Sequence, residues 1–357
     1  MPRLLLNPDI VSRNISRISK KSIDHNLEFR PHFKTHQSQE IGRWFKDKDV
    51  QGITVSSLEM ADYFAQDGWQ DITVAFPANV LEHKLIHALA SNISLNLLIV
   101  SIESLRLLQK NLEMPIGLYI EVDPGYGRSG VSSEKITDIQ ELINVINDHP
   151  NTLFKGFYTH AGHTYAARGS EGVKTIAEAS MRRLSGLGHH FPNIPICFGD
   201  TPSCSVLDEF GPVTQLSAGN LVFYDWIQTK IGSCTPKDIA VMMECPVVEK
   251  YDSRNQLLIH GGAVHFSKDH LIENDTKIFG VVTEDWGKPM EENYISSLSQ
   301  EHGIVQCTRS YFESINIGDT VNIFPIHSCL TANLMGAYHI DGRTEPVDHF
   351  SKQYYLQ

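Results

Sequence analysis

One segment of the chain, Arg30-Pro-His-Phe-Lys34-Thr-His36, sets a lysine among two histidines and an arginine. The amine of a lysine can form a Schiff base with a carbonyl compound when it is desolvated or lies beside other cations. Neighbouring imidazole and guanidinium groups would help to lower the pKa of Lys34. Considered alone, the segment fits an exposed lysine on a polar loop better than a catalytic one, so Lys34 is a candidate that needs support from other residues.

A glycine-rich loop, Gly125-Tyr-Gly127-Arg128-Ser-Gly130, has the formal GxGxxG spacing of a dinucleotide-binding turn. That turn normally follows the first strand of a sheet and opens directly into a helix. Here the loop follows the fifth predicted strand, and the next predicted helix begins several residues later. We therefore expect the loop to present Arg128 to a ligand of another kind.

Polar aromatic and imidazole side chains end the sixth predicted strand, in Tyr158-Thr-His160-Ala-Gly162-His163-Thr-Tyr165. Histidines that hydrogen-bond to the backbone are an equally good account of this cluster. Its predicted position on the same rim as Lys34 and Arg128, at the carboxyl ends of strands, favours a functional role.

Two small-residue loops, Gly199-Asp-Thr201-Pro-Ser203 and Ser217-Ala-Gly219-Asn220, follow the seventh and eighth predicted strands. In (β/α)₈ barrels the loops at these two positions often bind phosphate. Small residues let backbone N–H groups approach phosphate oxygens, and hydroxyl groups add further donors. Ordinary turns have the same composition, so phosphate binding and a simple turn are equally good interpretations.

His327 and Cys329 stand two positions apart in Pro325-Ile-His327-Ser-Cys329. On an extended strand the side chains of residues i and i+2 lie on one face, which would set an imidazole beside a thiolate. These two ligand types suit zinc. A structural histidine and a buried cysteine are the commoner explanation of such a pair, and a catalytic zinc usually has three protein ligands. The sequence supplies only two of them locally.

Short apolar runs alternate with amphipathic stretches over the first two thirds of the chain. Alternating strands and helices imply a parallel sheet, and eight such units predict a closed (β/α)₈ TIM-type barrel of the α/β class. An open doubly wound sheet is the alternative. The predicted strands are Glu28–Phe33, Ile53–Ser56, Ile72–Phe76, Leu95–Val100, Ile116–Val122, Lys155–Thr159, Pro195–Phe198 and Thr214–Ala218.

After about residue 235 the pattern changes to strands joined by turns, with no convincing helix between most pairs. We predict a barrel over residues 8–235, followed by a mostly antiparallel β domain over residues 236–357 that contains the candidate metal ligands His327 and Cys329. The predicted strands of the second domain are Ala240–Glu249, Gln256–His260, Thr276–Val282, Ile304–Thr308 and Thr320–Ile323.

The composition excludes several classes of protein. Of the 357 residues, 30 are Lys or Arg and 42 are Asp or Glu, and the net charge of −12 argues against a general binder of nucleic acid or membrane surfaces. Six cysteines without a CxxC pair predict free thiols in a reducing compartment. With no targeting segment and no long apolar run, we expect a cytoplasmic protein with no membrane partner.

Taken together and in order, these motifs resemble the D-serine dehydratase and D-threonine aldolase family of alanine racemase-like, fold-type III pyridoxal-phosphate enzymes. The resemblance covers nearly the whole chain and includes Glu121-Val-Asp-Pro, which precedes the glycine-rich loop. It implies a cofactor-binding barrel followed by a β domain that residues 1–7 join. It also implies a small-molecule D-amino acid as substrate and a homodimer.

The resemblance assigns roles to the barrel residues. Lys34 would hold pyridoxal 5′-phosphate covalently, Arg128 would face the phenolic oxygen of the cofactor, and His160 would lie against the ring as a second catalytic residue. Tyr158 is a weaker candidate for the surroundings of the ring nitrogen. The phosphate would be held by Thr201, Gly219 and Asn220.

The metal ligands distinguish members of this family. D-threonine aldolases resemble one another in a His-x-Asp pair, which suits manganese, whereas D-serine dehydratases carry His-x-Cys with zinc. Because thiolate selects zinc, His327 and Cys329 favour the dehydratase side.

We therefore predict a lyase that eliminates water from D-serine or a related D-3-hydroxy amino acid and yields a 2-oxo acid and ammonia. The first alternative is retro-aldol cleavage to glycine and an aldehyde, as in D-threonine aldolases. A racemase would need a second base, which we cannot identify. A non-catalytic pyridoxal-phosphate carrier would resemble the barrel alone.

One residue departs from the family pattern. An acidic residue is expected near position 260, in Leu258-Ile-His260-Gly-Gly-Ala-Val-His265-Phe-Ser-Lys-Asp269, and this chain has His260. The departure leaves open which D-3-hydroxy amino acid is the substrate.

Overall fold

The computed structural model describes residues 1–351, which form eighteen strands and twelve α-helices. The strands are β1 Arg3–Leu6, β2 Glu28–Phe29, β3 Gly52–Val55, β4 Asp71–Pro77, β5 Ser94–Ile99, β6 Ile116–Asp123, β7 Val131–Ser132, β8 Thr152–His160, β9 Ile196–Gly199, β10 Gln215–Leu216, β11 Val241–Tyr251, β12 Gln256–His260, β13 Leu271–Glu273, β14 Thr276–Ile278, β15 Gly280–Thr283, β16 Pro289–Leu298, β17 His302–Gln306 and β18 Thr320–Pro325. The helices are α1 Pro8–Asp24, α2 Gln39–Lys46, α3 Leu58–Gln66, α4 His83–Ala90, α5 Ile102–Gln109, α6 Ile136–Asn147, α7 Gly169–His190, α8 Thr201–Val206, α9 Trp226–Ile231, α10 Ala263–Phe266, α11 Arg309–Ser314 and α12 Ser328–Met335.

The described residues divide into two compact units. The barrel unit comprises residues 16–34 and 42–219. The β unit comprises residues 1–15, 35–41 and 220–351. The last six residues of the predicted second domain, 352–357, lie outside the described residues. Within residues 1–351, no helix combines the length and the apolar composition that a membrane span requires.

The barrel unit contains eight parallel strands in the order β2-β10-β9-β8-β6-β5-β4-β3. A parallel bridge between His32 and Thr54 joins the two ends of this order, so the barrel is nearly closed. Strand β6, in the middle of this order, is buried from Ile116 to Val122, as expected of a parallel sheet covered by helices. The predicted (β/α)₈ barrel is therefore confirmed, and the open doubly wound sheet is wrong.

The helices of the barrel unit pack one apolar stripe each against the sheet. In α6 the buried residues Ile139, Leu142, Ile143 and Ile146 follow the 3–4 spacing of one helix face. Side-chain caps fix where several helices begin: the Ser57 hydroxyl, for example, accepts a hydrogen bond from an amide of α3.

A buried polar network closes the amino-terminal end of the barrel. The guanidinium group of Arg30, 3% exposed, donates two hydrogen bonds to the carboxylate of Asp71, at 2.8 and 2.9 Å, and one to Glu28 at 2.9 Å. A Cβ at Gly52 would lie 2.2 Å from this group, so only glycine leaves room for it. Arg30 is thus paired with Asp71 and Glu28, which are the first residues of β4 and β2, at the starts of the strands.

Replacing Arg30 with methionine should lower the free energy of unfolding by about 1 to 2 kcal/mol, because Asp71 and Glu28 lose hydrogen bonds from a buried guanidinium but their side chains, 37% and 44% exposed, stay partly solvated. The urea midpoint measures this. Burial would raise the pKa of Asp71, but hydrogen bonds from Arg30 hold it below its usual value. The stabilisation is therefore present at neutral pH and is lost as the pH falls through the folded-state pKa, in the range below about 4.

The exposed pair of Lys20 and Asp24, at 2.7 Å, supplies the control. Lys20→Met should change the free energy of unfolding by less than about 1 kcal/mol, because solvent screens this pair. Equal effects of Arg30→Met and Lys20→Met would contradict a stabilising role for the buried network.

The β unit is built on an antiparallel sheet in the order β1-β11-β12-β17-β16-β15-β18. An additional pairing of β11 with β18 closes six of these strands on themselves, and β1 pairs with β11 from the amino-terminal end of the chain. This confirms the mostly antiparallel second part of the predicted fold. The predicted strand Thr276–Val282 is two strands, β14 and β15, and β16 was not predicted.

Candidate active site

The barrel residues singled out from the sequence lie where its parallel strands end. Lys34 follows β2, Arg128 follows β6, and His160 is the last residue of β8. Thr201 follows β9 as the first residue of α8, and Gly219 follows β10. Catalytic groups of (β/α)₈ barrels come from this carboxyl-terminal rim, so these side chains share the functional end of the barrel.

His160 is a neutral imidazole in this environment. The pKa of His160 is lowered to about 3, first by burial and then by the nearby cations of Lys34 and Arg128. A hydrogen bond with the Gly199 backbone opposes this effect without reversing it. Lys34 and Arg128 are thus both close enough to His160 to affect its charge. An uncharged imidazole such as His160 suits contact with a flat ligand, because it adds no charge to the site.

The Arg128 loop is held by the carboxylate of Asp123. One oxygen of Asp123 accepts hydrogen bonds from three consecutive amides, those of Gly125, Tyr126 and Gly127, at 2.9, 2.8 and 3.1 Å. Arg128 is exposed, with its guanidinium carbon 5.6 Å from the centre of the Tyr126 ring. Asp123 therefore preorganises the loop that presents Arg128. This role of Asp123 was not predicted from the sequence.

Tyr158 lies inside the barrel in a cluster with Leu98, Tyr119 and Cys197. Its hydroxyl group lies 3.1 Å from the hydroxyl of Ser217, and burial raises the pKa of the phenol above its ordinary value. Tyr158 is accordingly a neutral hydrogen-bonding group below the rim.

The loop that begins α8 has an unsatisfied buried hydroxyl group. The hydroxyl oxygen of Thr201 is buried and has no hydrogen-bond partner within residues 1–351. Asp200, at a strained φ of 144°, accepts hydrogen bonds from the Ser203 amide and the Thr164 hydroxyl at 2.6 and 2.9 Å. Burial raises the pKa of Asp200 to about 7, which limits its negative charge. The unpartnered hydroxyl of Thr201 can donate a hydrogen bond to a phosphate group.

His327 and Cys329 do not share a strand face, contrary to the sequence argument. The strand β18 ends at Pro325, His327 is the N-cap residue of α12, and Cys329 is the second residue of that helix. Their side chains nevertheless hydrogen-bond to each other at the helix start. The pair is brought together by a strand-to-helix turn, not by strand alternation.

The thiol of Cys329 is surrounded by hydrogen-bonding groups. Its sulfur lies 3.3 Å from the Thr35 hydroxyl and accepts a hydrogen bond from the Asn220 amide at 3.4 Å. Burial alone would raise the pKa of Cys329, but the His327 imidazole and these hydrogen bonds bring it below its ordinary value. The Asn220 amide also donates to Asp225 at 2.8 Å. Asn220, expected at the phosphate, thus has its amide group directed to Cys329 and Asp225.

His327 is held from its other side by Asp269. Burial would lower the pKa of His327, but hydrogen bonds to Asp269 and Cys329 raise it well above its ordinary value. Nδ1 of the ring lies 2.7 Å from Oδ2 of Asp269. A thiolate beside an imidazole whose other nitrogen meets a carboxylate is a fitting donor set for zinc. The partnership of Asp269 with His327 was not predicted from the sequence, because the two residues lie 58 positions apart.

Two family models match the chain. The model of the alanine racemase N-terminal domain matches residues 6–197, more than half of the chain, and the model of a serine dehydratase domain matches residues 240–340. The first match coincides largely with the parallel barrel, and the second with the antiparallel sheet and the His327–Cys329 segment.

Relatives match over almost their full length. D-serine dehydratase from Dictyostelium discoideum is 30% identical over 95% of this chain and 92% of its own. D-threo-3-hydroxyaspartate dehydratase from Delftia sp. strain HT23 is 26% identical over 94% and 93% of the two chains. The 3-hydroxy-D-aspartate aldolase from Paracoccus denitrificans is 23% identical over 94% and 87%.

A solved structure of the Delftia dehydratase covers 98% of this chain and 97% of its own, with a TM-score of 0.91 and 23% identity, which shows a shared fold. A cysteine-to-alanine form of that enzyme is metal-free and has the same TM-score. By the near-complete match at 30% identity and the alanine racemase model, this chain belongs to the D-serine dehydratase and D-threonine aldolase family of alanine racemase-like, fold-type III pyridoxal-phosphate enzymes, and it is a pyridoxal-phosphate-dependent lyase.

Proposed function

We propose that the protein is a zinc-dependent lyase that eliminates water from D-serine or a related D-3-hydroxy amino acid, giving a 2-oxo acid and ammonia. The observation that carries this proposal is the Cys329 thiol, whose pKa is lowered beside His327. A thiolate ligand selects zinc over harder ions. The names of the Dictyostelium and Delftia relatives, both dehydratases, support the same reaction class.

We propose that the cofactor is bound by the residues that the family resemblance indicates. Lys34 would hold it covalently, Arg128 would face its phenolic oxygen and His160 would lie against its ring, with Tyr158 a weaker candidate near the ring nitrogen. When bound, pyridoxal 5′-phosphate supplies an electron sink for negative charge that develops at Cα of the substrate. Thr201, Gly219 and Asn220 would hold the phosphate, Asn220 through its backbone because its side-chain amide donates to Asp225 and Cys329.

Lys34 has the chemistry to move the Cα proton. As a free amine Lys34 would be a base, and the Cα proton would rest on Nζ after transfer. His160 remains uncharged at neutral pH because burial and the two neighbouring cations keep its pKa low. It therefore packs against the reacting plane without competing for the proton.

His327 and Cys329, the proposed metal ligands, contribute to the departure of the β-hydroxyl group of the substrate. A zinc ion on His327 and Cys329 would supply Lewis acidity toward the β-hydroxyl of the substrate and make it a better leaving group. Asp269 fixes the His327 ring, since its carboxylate accepts a hydrogen bond from Nδ1 and leaves Nε2 for the metal. The hydrogen bonds to Cys329 from Thr35 and Asn220 hold the sulfur in place.

Replacing Asp269 with asparagine should weaken zinc binding about 10- to 100-fold, because the His327 ring loses its charged partner. Dialysis against graded zinc concentrations, with metal analysis, measures the change. Asp275→Asn, in the β13–β14 hairpin, is the matched control and should leave zinc affinity unchanged. Full zinc affinity in Asp269→Asn would contradict the positioning role.

Retro-aldol cleavage is the second candidate, and the resemblance to an aldolase of 3-hydroxy-D-aspartate favours it. A panel of D-serine, D-threonine and D-threo-3-hydroxyaspartate separates the two reactions. We expect 2-oxo acid and ammonia from at least one of these substrates. Glycine and an aldehyde as the only products would contradict elimination and would show that the reaction is retro-aldol cleavage.

We also propose a homodimer, because cyclic dimers are the commonest oligomers and the family resemblance implies one. Exposed apolar side chains such as Phe76 and Leu81, 62% and 83% exposed, are a reason to expect a partner surface. Sedimentation velocity should give the mass of two chains at micromolar concentration. A fully active monomer at the same concentration would contradict this expectation.

A further inference from the structure

Three side chains of the β unit converge outside the residues assigned above. Nε2 of His260 and Nε2 of His265 lie 3.5 and 3.8 Å from the same oxygen of Glu301. The two imidazole rings stand nearly perpendicular, at 83°, with centroids 5.5 Å apart. One potential ligand atom from each of the three residues lies within 4.8 Å of the other two. The cluster thus offers two imidazoles and one carboxylate to a single point.

The backbone that carries the cluster is tightly paired. The amide of Gly261 donates to the carbonyl of Glu301 at 3.0 Å, and the amide of Val264 donates to the carbonyl of Gln300 at 3.1 Å. A Cβ at Gly262 would lie 2.2 Å from the Gln300 carbonyl oxygen, so glycine is required for this approach. Both histidines are therefore fixed against the turn that bears Glu301.

The same geometry explains why position 260 is not acidic in this chain. A carboxylate at His260 would face the carboxylate of Glu301 and be repelled, whereas an imidazole is attracted to it or can share an ion with it. The side chains of His260 and Glu301 are 40% and 50% exposed, and that of His265 is 15% exposed. An ion from solvent can reach all three.

We propose that His260, His265 and Glu301 bind a divalent transition-metal ion, with zinc the best match, at a site separate from His327 and Cys329. Two imidazoles and a carboxylate, with one coordination position left open, are an established zinc donor set. Ligand atoms about 2.1 Å from a tetrahedral ion are about 3.4 Å apart, close to the separations of 3.5 and 3.8 Å seen here. Small side-chain rotations complete the site.

His265 provides a local reporter of the ion. Its Nδ1 accepts a hydrogen bond from the Gly262 amide at 3.1 Å, so the ring proton of neutral His265 lies on Nε2. Zinc on Nε2 moves that proton to Nδ1 and removes the acceptor of the Gly262 amide. The backbone amide resonance of Gly262 should therefore shift when zinc is added, and the His260→Ala variant should lose this shift.

Zinc content per chain tests the proposal directly. Chelator-treated holoenzyme is dialysed against zinc and analysed for bound metal, in parallel with Cys329→Ala, which removes the other proposed site. Cys329→Ala should keep one zinc ion per chain. Adding His260→Ala or Glu301→Gln to it should lower the affinity for that ion by more than about 100-fold, since loss of a ligand exceeds the effect of losing a partner of a ligand.

Exposed residues of the same types supply matched controls. His83→Ala and Glu292→Gln, each in the Cys329→Ala background, should leave zinc binding unchanged. The proposal is overturned if Cys329→Ala binds no zinc, or if His260→Ala and Glu301→Gln bind as much zinc as their parent. This proposal does not depend on the function of His327 and Cys329, because zinc binding is measured in the Cys329→Ala background, where that pair is disrupted.

Discussion

Replacing Lys34 with alanine should reduce turnover at saturating substrate by at least about 1,000-fold. The variant loses both the covalent attachment of the cofactor and the base that takes the Cα proton. Removal of a general base alone lowers the rate about 100- to 10,000-fold. The visible absorption of the bound cofactor should shift or disappear in the same variant. Initial rates and absorption spectra of purified protein measure both effects.

The control for Lys34 is a lysine without a predicted role. Lys84 is exposed on α4, and Lys84→Ala should keep the rate and the spectrum of the original protein. Borohydride reduction followed by peptide mapping should place the mass of the cofactor on the peptide that contains Lys34. A label on another lysine, or an active Lys34→Ala enzyme, would refute the assignment.

Removal of the metal ligand should also be severe. Cys329→Ala, like treatment with a chelator, should reduce elimination by at least about 100-fold, because Lewis acidity contributes several kcal/mol to departure of the hydroxyl group. The cofactor absorption should remain, since the barrel residues that hold the cofactor are intact. Zinc should restore the chelated enzyme but not the Cys329→Ala variant.

The acidity of the ligands predicts how metal binding depends on pH. Cys329 must be a thiolate and His327 must lose its ring proton to bind zinc, so zinc affinity should fall as the pH falls. Cys329→Asp should shift the preference toward manganese, because a carboxylate is a harder ligand than a thiolate. Undiminished turnover of D-serine by both the chelated enzyme and Cys329→Ala would rule out the metal role and, with it, the reason to prefer elimination over aldol cleavage.

The barrel could be predicted from the sequence because its strands are short apolar runs separated by amphipathic helices. The predicted strand Glu28–Phe33 is only Glu28–Phe29 in the structure, because Pro31 lacks the N–H group that a continuing ladder requires. In the β unit, β16 was missed since its exposed residues Glu291 and Glu292 hide the alternation of its buried residues. Local patterns thus predicted the apolar strands but not those that carry charge.

The contacts of the candidate site residues could not be predicted from the sequence. The ring of His327 is held by Asp269, 58 positions away, and the thiol of Cys329 meets Thr35, 294 positions away. The helix that begins at Ser328 is stabilised by hydrogen bonds from that residue to Asp225, 103 positions away, which a strand argument based on i and i+2 cannot anticipate. Such pairs follow from tertiary packing and leave no mark in local sequence.

The fate of the substrate carbon is the most direct test of the proposed reaction. Zinc-loaded enzyme is mixed with D-serine labelled with carbon-13 at Cβ, and the products are followed by NMR. Elimination predicts that the label appears in the methyl group of pyruvate, with one ammonium ion released for each D-serine consumed. A label recovered as formaldehyde alongside unlabelled glycine, or in L-serine without net consumption, would contradict the account.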